Sequence, residues 1–160
     1  MRKFFAKFFM AKIFKDMNTE KKAIVVFYSL SGRTELYAYE ISKVLRSLGY
    51  FTHTCSITEC TRKELEEADV VFLGCLTTGL FFFKQKPEKE WVEFVRNFRL
   101  EKHQTLGLFT TYRISTGSMF RNMKKHISGL NGNLIPEFKS RTTKLSESDK
   151  VYLKRVVPQI

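Results

Sequence analysis

Ala23-Ile-Val-Val-Phe-Tyr28, followed at once by Ser29-Leu-Ser-Gly-Arg-Thr34, is the stretch on which the fold turns. The first half is a continuous apolar run of strand length, the pattern of a strand buried on both faces. The second half is rich in hydroxyls and leads straight into a helical pattern that begins near Glu35. A buried strand that turns sharply into a helix leaves backbone N–H groups without partners at the helix start. With the positive end of the helix dipole, those donors form an anion site. Ser29, Ser31 and Thr34 add hydroxyl donors, and Gly32 lets the main chain come close to a bound group. Two readings stand side by side: a phosphate cradle, or a plain helix N-cap made by Ser31 with Thr34 three residues on.

Outward from this stretch, strand and helix patterns alternate. Tyr37, Ile41, Val44 and Leu48 recur at helical spacing over residues 33–48, and Gly49 stops that helix. Residues 50–57 alternate like a strand, with Phe51, His53, Cys55 and Ile57 on one side. Thr61-Arg-Lys-Glu64 is a capping box for a short helix. Val70-Val-Phe-Leu73 is again apolar throughout, and a loop runs from Cys75 to Lys86. Pro87 suits the first turn of a helix whose Trp91, Phe94, Val95 and Phe98 share a face. Thr105 to Thr110 reads as a third apolar strand, and a loop follows to Gly117. Met119, Met123, Ile127 and Leu130 form another helical stripe, and Leu134 to Lys139 is a weaker strand containing Pro136. Ser146-Glu-Ser-Asp149 opens a C-terminal helix.

Five strands alternating with helices predict an α/β fold, a parallel sheet with helices on both faces. The three strands that are apolar throughout belong in the middle. Strand two alternates and strand five carries a proline, so both belong at the edges. The order 2-1-3-4-5 satisfies these demands, and its switch point lies between strands one and three. A ligand is therefore expected over the loops at 29–34, 76–86 and 111–117.

The 160 residues suit a single domain over 23–160 with a substantial core, behind a distinct N-terminal tail over 1–22. The tail is basic and aromatic-rich and carries +5 of the +12 net charge. Lys7 and Lys12 interrupt its apolar stretch, which argues against a signal peptide. The tail reads as a contact with an anionic membrane surface or as a loosely held extension, with translation from Met17 as the plainest account of the residues before it. The other basic residues are spread along the chain without a nucleic-acid-binding signature, so no nucleic acid partner is expected. Cys55, Cys60 and Cys75 lack metal-ligand spacing and suit free thiols in a reducing, cytoplasmic setting. His53, His103 and His126 lie far apart on the strand and helix map, so no metal site is expected. The first loop has neither the aspartates of a receiver domain nor the Cys-x5-Arg of a low-molecular-weight phosphatase. Gly-x-Gly-x-x-Gly and Gly-x4-Gly-Lys-Ser/Thr are also absent.

Ser29-x-Ser-Gly-x-Thr34 after a strand resembles the FMN-phosphate loop of flavodoxins. The likeness extends over 23–157, through Asp69-Val-Val-Phe-Leu-Gly74 and Leu106-Gly-Leu-Phe-Thr-Thr111. The resemblance implies a flavodoxin-like three-layer sandwich with FMN as cofactor. It implies that Ser29, Leu30, Ser31, Gly32, Arg33 and Thr34 wrap the phosphate. The loop Thr77, Thr78, Gly79, Leu80 and Phe81 would pass one edge of the flavin, with Gly79 as the residue whose carbonyl turns toward N5 on reduction. Thr110, Thr111, Tyr112 and Gly117 belong to the loop expected at the other edge, with Tyr112 on one ring face and Leu80 or Phe81 on the other. Phe81-Phe-Phe83 has a second reading, packing beneath a neighbouring loop.

The chain departs from the family in two respects. Thr-Thr-Gly-Leu-Phe replaces the proline and bulky aromatic common in the loop after strand three, and a basic charge replaces the family's acidic one. Two function classes follow. One is an FMN redox protein, either an electron carrier or a small flavin reductase, working with a redox partner protein or a small electron acceptor. The other is a cofactor-free binding module, associated with membranes through its tail.

Overall fold

The computed structural model describes residues 20–78, 84–132 and 135–160. Five strands, β1 (Lys22–Tyr28), β2 (Phe51–Ser56), β3 (Val70–Leu76), β4 (Thr105–Thr111) and β5 (Glu137–Ser140), form one parallel sheet in the order β2-β1-β3-β4-β5. The helices between them are α1 (Arg33–Ser47), α2 (Arg62–Glu67), α3 (Lys89–Arg96), α4 (Met119–Lys124) and α5 (Glu147–Val156). The winding is the one expected from the apolar runs.

Alternate residues of each central strand feed two separate cores. Ile24, Val26, Val71, Leu73, Cys75, Leu106 and Leu108 pack under α2, α3 and α4, against Leu65, Trp91, Val95, Met119 and Met123. Ala23, Val25, Phe27, Val70, Phe72 and Phe109 pack under α1 and α5, against Tyr37, Ile41, Leu45, Leu153 and Val157. Because both faces are covered, β1, β3 and β4 have no polar side and read as continuous apolar runs. The edge strand β2 behaves differently. Phe51 is 60 % exposed although it shares a side with buried Cys55, as an edge strand allows.

Several helix ends differ from their sequence signals. α3 begins at Lys89 behind an N-cap at Glu88, which leaves Pro87 one position outside the helix. The proline fixes the approach of the chain to the helix. α4 ends at Lys124, so Ile127, third in the expected stripe, reaches the core from beyond the helix. β5 starts only after Pro136, consistent with a residue that cannot donate to the ladder. Leu134, the first residue of the expected strand, lies outside the described residues. The N-terminal residues 1–19 lie outside them as well, and with them most of the expected membrane-facing tail.

The capping box at α2 is present as read. Glu64 N–H donates to Thr61 Oγ1 at 3.3 Å, while the Glu64 carboxylate accepts from Thr61 N–H at 2.9 Å and from its hydroxyl at 2.7 Å. The Thr61 hydroxyl and N–H together hold the Glu64 carboxyl below the usual range. A carboxyl depressed on folding contributes stability above its unfolded pKa and loses it as pH falls through the folded one. Thr61→Ala should therefore cost about 1 kcal/mol at neutral pH, shrinking below about pH 4 as Glu64 protonates. Urea titrations of both proteins at several pH values check this; a pH-independent difference would remove Glu64 from the account.

Candidate functional site

β1 delivers the chain to the site and α1 leaves it. Between them Gly32 takes a left-handed φ of 76° and is itself the N-cap residue of α1, with no side-chain capping hydrogen bond. The Ser31 cap is therefore not formed. A glycine in this conformation turns the main chain so that the first-turn N–H groups of α1 face outward with no side chain on them. A methyl group built on Gly32 would meet nothing within 4 Å, so the space above the turn is open. Ser29 Oγ is buried and has no hydrogen-bond partner among the described residues. A buried hydroxyl without a partner beside a bare helix start is a donor set short of an acceptor.

A cleft of about 400 Å³ opens next to this turn, at the carboxyl ends of β1, β3 and β4. Its floor is a threonine network. Thr34 and Thr111 share a hydroxyl–hydroxyl bond at 2.7 Å, Thr77 and Thr110 share another at 2.9 Å, and Thr110 Oγ1 donates to the Cys75 carbonyl at 2.6 Å. Thr77 N–H donates to the Thr111 carbonyl at 3.0 Å, extending the β3–β4 ladder into the loops. These bonds lock the two loops to each other, so the cleft is shaped before anything enters it. Leu30 and Ile114, 69 % and 51 % exposed, stand among its lining residues with half-buried Tyr112. Arg33 and Arg113 line it too, and none of the described lining residues is a carboxylate. The Arg33 guanidinium is held by the Arg141 carbonyl.

The flavodoxin family model matches residues 25–146. The chain belongs to the flavodoxin family. Its sheet is also that of solved flavodoxins. Oxidised flavodoxin 2 from Bacillus cereus matches at a TM-score of 0.60 and 17 % identity, over 84 % of this chain and 93 % of that one. Two-electron reduced flavodoxin from Megasphaera elsdenii matches at 0.59 and 15 %, over 84 % and 97 %. A flavodoxin from the domain Archaea matches at 0.52 and 20 %, over 84 % and 92 %. At these identities the structures speak for the fold alone.

Flavodoxins bind FMN and pass electrons to redox partners. The residues present fit that cofactor on three counts: the partnerless Ser29 hydroxyl, the open turn at Gly32, and a cleft rimmed by apolar side chains and guanidinium groups without carboxylates. The cleft lies at the switch point between β1 and β3.

The structure gathers the expected residues unevenly. Leu30, Ser31, Arg33, Thr77, Thr111 and Tyr112 line the cleft. The side chains of Thr34 and Thr110 are buried in the floor and bonded there, which leaves Thr34 only its backbone N–H to offer. Thr78 is turned to Lys86, whose carbonyl accepts from its hydroxyl at 2.8 Å. Gly117 lines a neighbouring groove instead. Gly79, Leu80 and Phe81 lie outside the described residues, as do the other two phenylalanines of that run.

Leu76, Gln85, Arg113, Ile114 and Ser115 also line the cleft; they lie in the loops expected to face a ligand but are not among the site residues singled out from the sequence. Gln85 is 1 % exposed, and its backbone carbonyl accepts from Ser118 Oγ at 3.0 Å and Asn122 Nδ2 at 2.6 Å. The antiparallel Thr78–Lys86 bridge returns the loop to the sheet and sets Gln85 against Gly117. No local pattern encodes that return. Cys75 is buried at the end of β3, where burial pushes its thiol up to about 12. It accepts the Glu88 N–H at 3.4 Å and stays a neutral packing group. No metal-holding cluster and no membrane-crossing helix occur among the described residues.

Proposed function

We propose that this flavodoxin is an FMN-dependent electron carrier, and that the flavin phosphate is held at the start of α1 by Ser29, Ser31, Gly32, Arg33 and the Thr34 N–H. The observation that carries this reading is the buried Ser29 hydroxyl without a partner beside the bare, glycine-capped helix start. Tyr112, Leu30 and Ile114 supply apolar surface for the ring. Thr77 and Thr111 hold the two flanking loops at fixed spacing, and backbone donors of 111–115 meet the pyrimidine edge. The bound flavin supplies the redox chemistry, taking up and releasing one electron at a time. A carrier is favoured over a reductase because the described lining residues include no histidine or carboxylate to act as a general acid or base.

The protein purified with FMN should be yellow, and added FMN should bind the colourless apoprotein with quenched flavin fluorescence. An apoprotein that ignores FMN would leave the cofactor-free binding module as the account of this chain. Charge sets the second expectation. An acidic cleft opposes the last, anion-forming reduction of flavin, whereas Arg33 and Arg113 favour it. The second-electron potential should be less negative than that of an acidic flavodoxin measured alongside. Arg113→Gln should lower it by roughly 40 mV, from ~1 kcal/mol for a unit charge about 8 Å away at an effective dielectric of about 40. Potentiometric titration reads both values, and an unchanged potential in the variant would count against electrostatic control by the cleft.

A further inference from the structure

The loop after β4 serves two concavities. Residues 111–115 line the cofactor cleft, while Thr116, Gly117 and Ser118 pass into a broader groove of about 830 Å³ between α4 and β5. That groove is strongly cationic. Arg121, Lys124, Lys125 and Lys139 line it against a single carboxylate, Glu137, which Lys124 already neutralises at 2.6 Å. Lys125 has only the Asn122 amide oxygen, at 3.2 Å, and no carboxylate pairs with Arg121 or Lys139 among the described residues. Elsewhere the picture is mixed: among the described residues Lys102, Lys154 and Arg155 are exposed without a paired carboxylate, whereas others are compensated. Lys21, Lys22, Lys43, Arg62, Lys63, Lys89 and Lys150 each have a carboxylate within 4 Å. Arg33 and Arg113 carry the uncompensated charge on to the cleft itself.

We propose that this groove is the docking surface for an acidic protein partner, the one that exchanges electrons with the cofactor next door. The proposal rests on the FMN-carrier reading. A small anion would call for convergent donors, whereas here the cations are dispersed over two elements and the cleft rim, a spread that matches an extended acidic surface. Continuity through residues 111–118 places such a partner beside the cofactor, where electrons must cross. Apart from Lys124, the groove cations have no paired carboxylate among the described residues, so they need not be stripped from internal ion pairs on docking. Steering by this patch speeds encounter and weakens with salt.

The test compares two triple reversals of equal net charge. Arg121→Glu/Lys125→Glu/Lys139→Glu alters the groove; Lys102→Glu/Lys154→Glu/Arg155→Glu alters exposed sites elsewhere. The probes are an acidic plant-type [2Fe–2S] ferredoxin, a basic mitochondrial-type cytochrome c, and phosphatidylglycerol vesicles. Binding is measured on the apoprotein and electron transfer on the FMN-loaded protein, so loss of the flavin reading does not silence the docking readout. At low salt the groove variant should bind ferredoxin at least about tenfold more weakly than wild type, the control by less than about threefold, and the gap should close in high salt. FMN affinity should be the same in all three proteins. The proposal falls if both variants lose equally, if ferredoxin binds no better than cytochrome c, or if the groove variant loses vesicles but keeps ferredoxin.

Discussion

Replacing Ser31 by aspartate is expected to weaken FMN binding about a hundredfold while leaving riboflavin binding nearly untouched. A carboxylate about 5 Å from a dianionic ester, at an effective dielectric of about 40, costs on the order of 3 kcal/mol. At about 1.4 kcal/mol per decade in Kd, that is two decades. The fold should survive, because Ser31 is exposed and no side-chain cap hydrogen bond holds the start of α1. Fluorescence titrations with the two flavins separate the cradle from the ring site, since riboflavin carries no phosphate. Equal losses for both would mean that the substitution had deformed the cleft. Equal affinities for FMN in wild type and variant would place the phosphate somewhere other than the start of α1.

The second large effect lies in the core, at Gly74 and Gly107. In the β3–β4 register Phe72 stands opposite Gly107 and Gly74 opposite Phe109. Each glycine accommodates the ring across from it. A Cβ on Gly107 would lie 2.3 Å from the Phe72 ring, and one on Gly74 would lie 2.1 Å from the Phe109 ring. Neither ring has room to retreat. Phe72 and Phe109 are 1 % and 0 % exposed, Phe72 is tilted against Phe138 at 5.8 Å between centroids, and Phe109 meets Tyr37 edge-on at 6.0 Å. Gly107→Ala should therefore destabilise the protein by about 2–4 kcal/mol, at or beyond the upper end of ordinary overpacking. The companion change Phe72→Leu should recover part of that loss, because it removes the atoms the new methyl strikes. Urea unfolding of wild type, both single variants and the double variant measures the coupling. Strictly additive single effects would show that the ring and the glycine are not interlocked.

These two sites differ in how much of them the chain displays locally. The hydroxyl-rich turn after an apolar strand is a local feature, visible as a run of neighbours from Ser29 to Thr34. Its detail was not visible. Ser31 stood in the place of a helix cap, yet Gly32 occupies it, because a left-handed residue there swings the chain off β1 and leaves the first turn bare. The Phe72-x-Gly74 and Gly107-x-Phe109 pairs are likewise written in the chain, in mirrored order. Only the parallel register puts each ring over a glycine. Gln85 enters the cleft wall because a bridge eight residues wide folds its loop back, and Thr110 leaves the wall because its hydroxyl finds the Cys75 carbonyl.

By itself the sequence determined the architecture. The apolar runs of β1, β3 and β4 had to be covered on both faces, the alternation in β2 and Pro136 before β5 marked the edges, and the switch point then followed. Burial of apolar area depends on composition along short windows, so it can be read along the chain. What the tertiary structure alone decided was which polar groups meet. It paired Thr34 with Thr111, compensated Glu137 with Lys124, and left Arg121 and Lys139 facing a groove with no carboxylate partner among the described residues. Hydrogen bonds and ion pairs act over a few ångströms between residues distant in the chain, and only the folded register brings them within that reach.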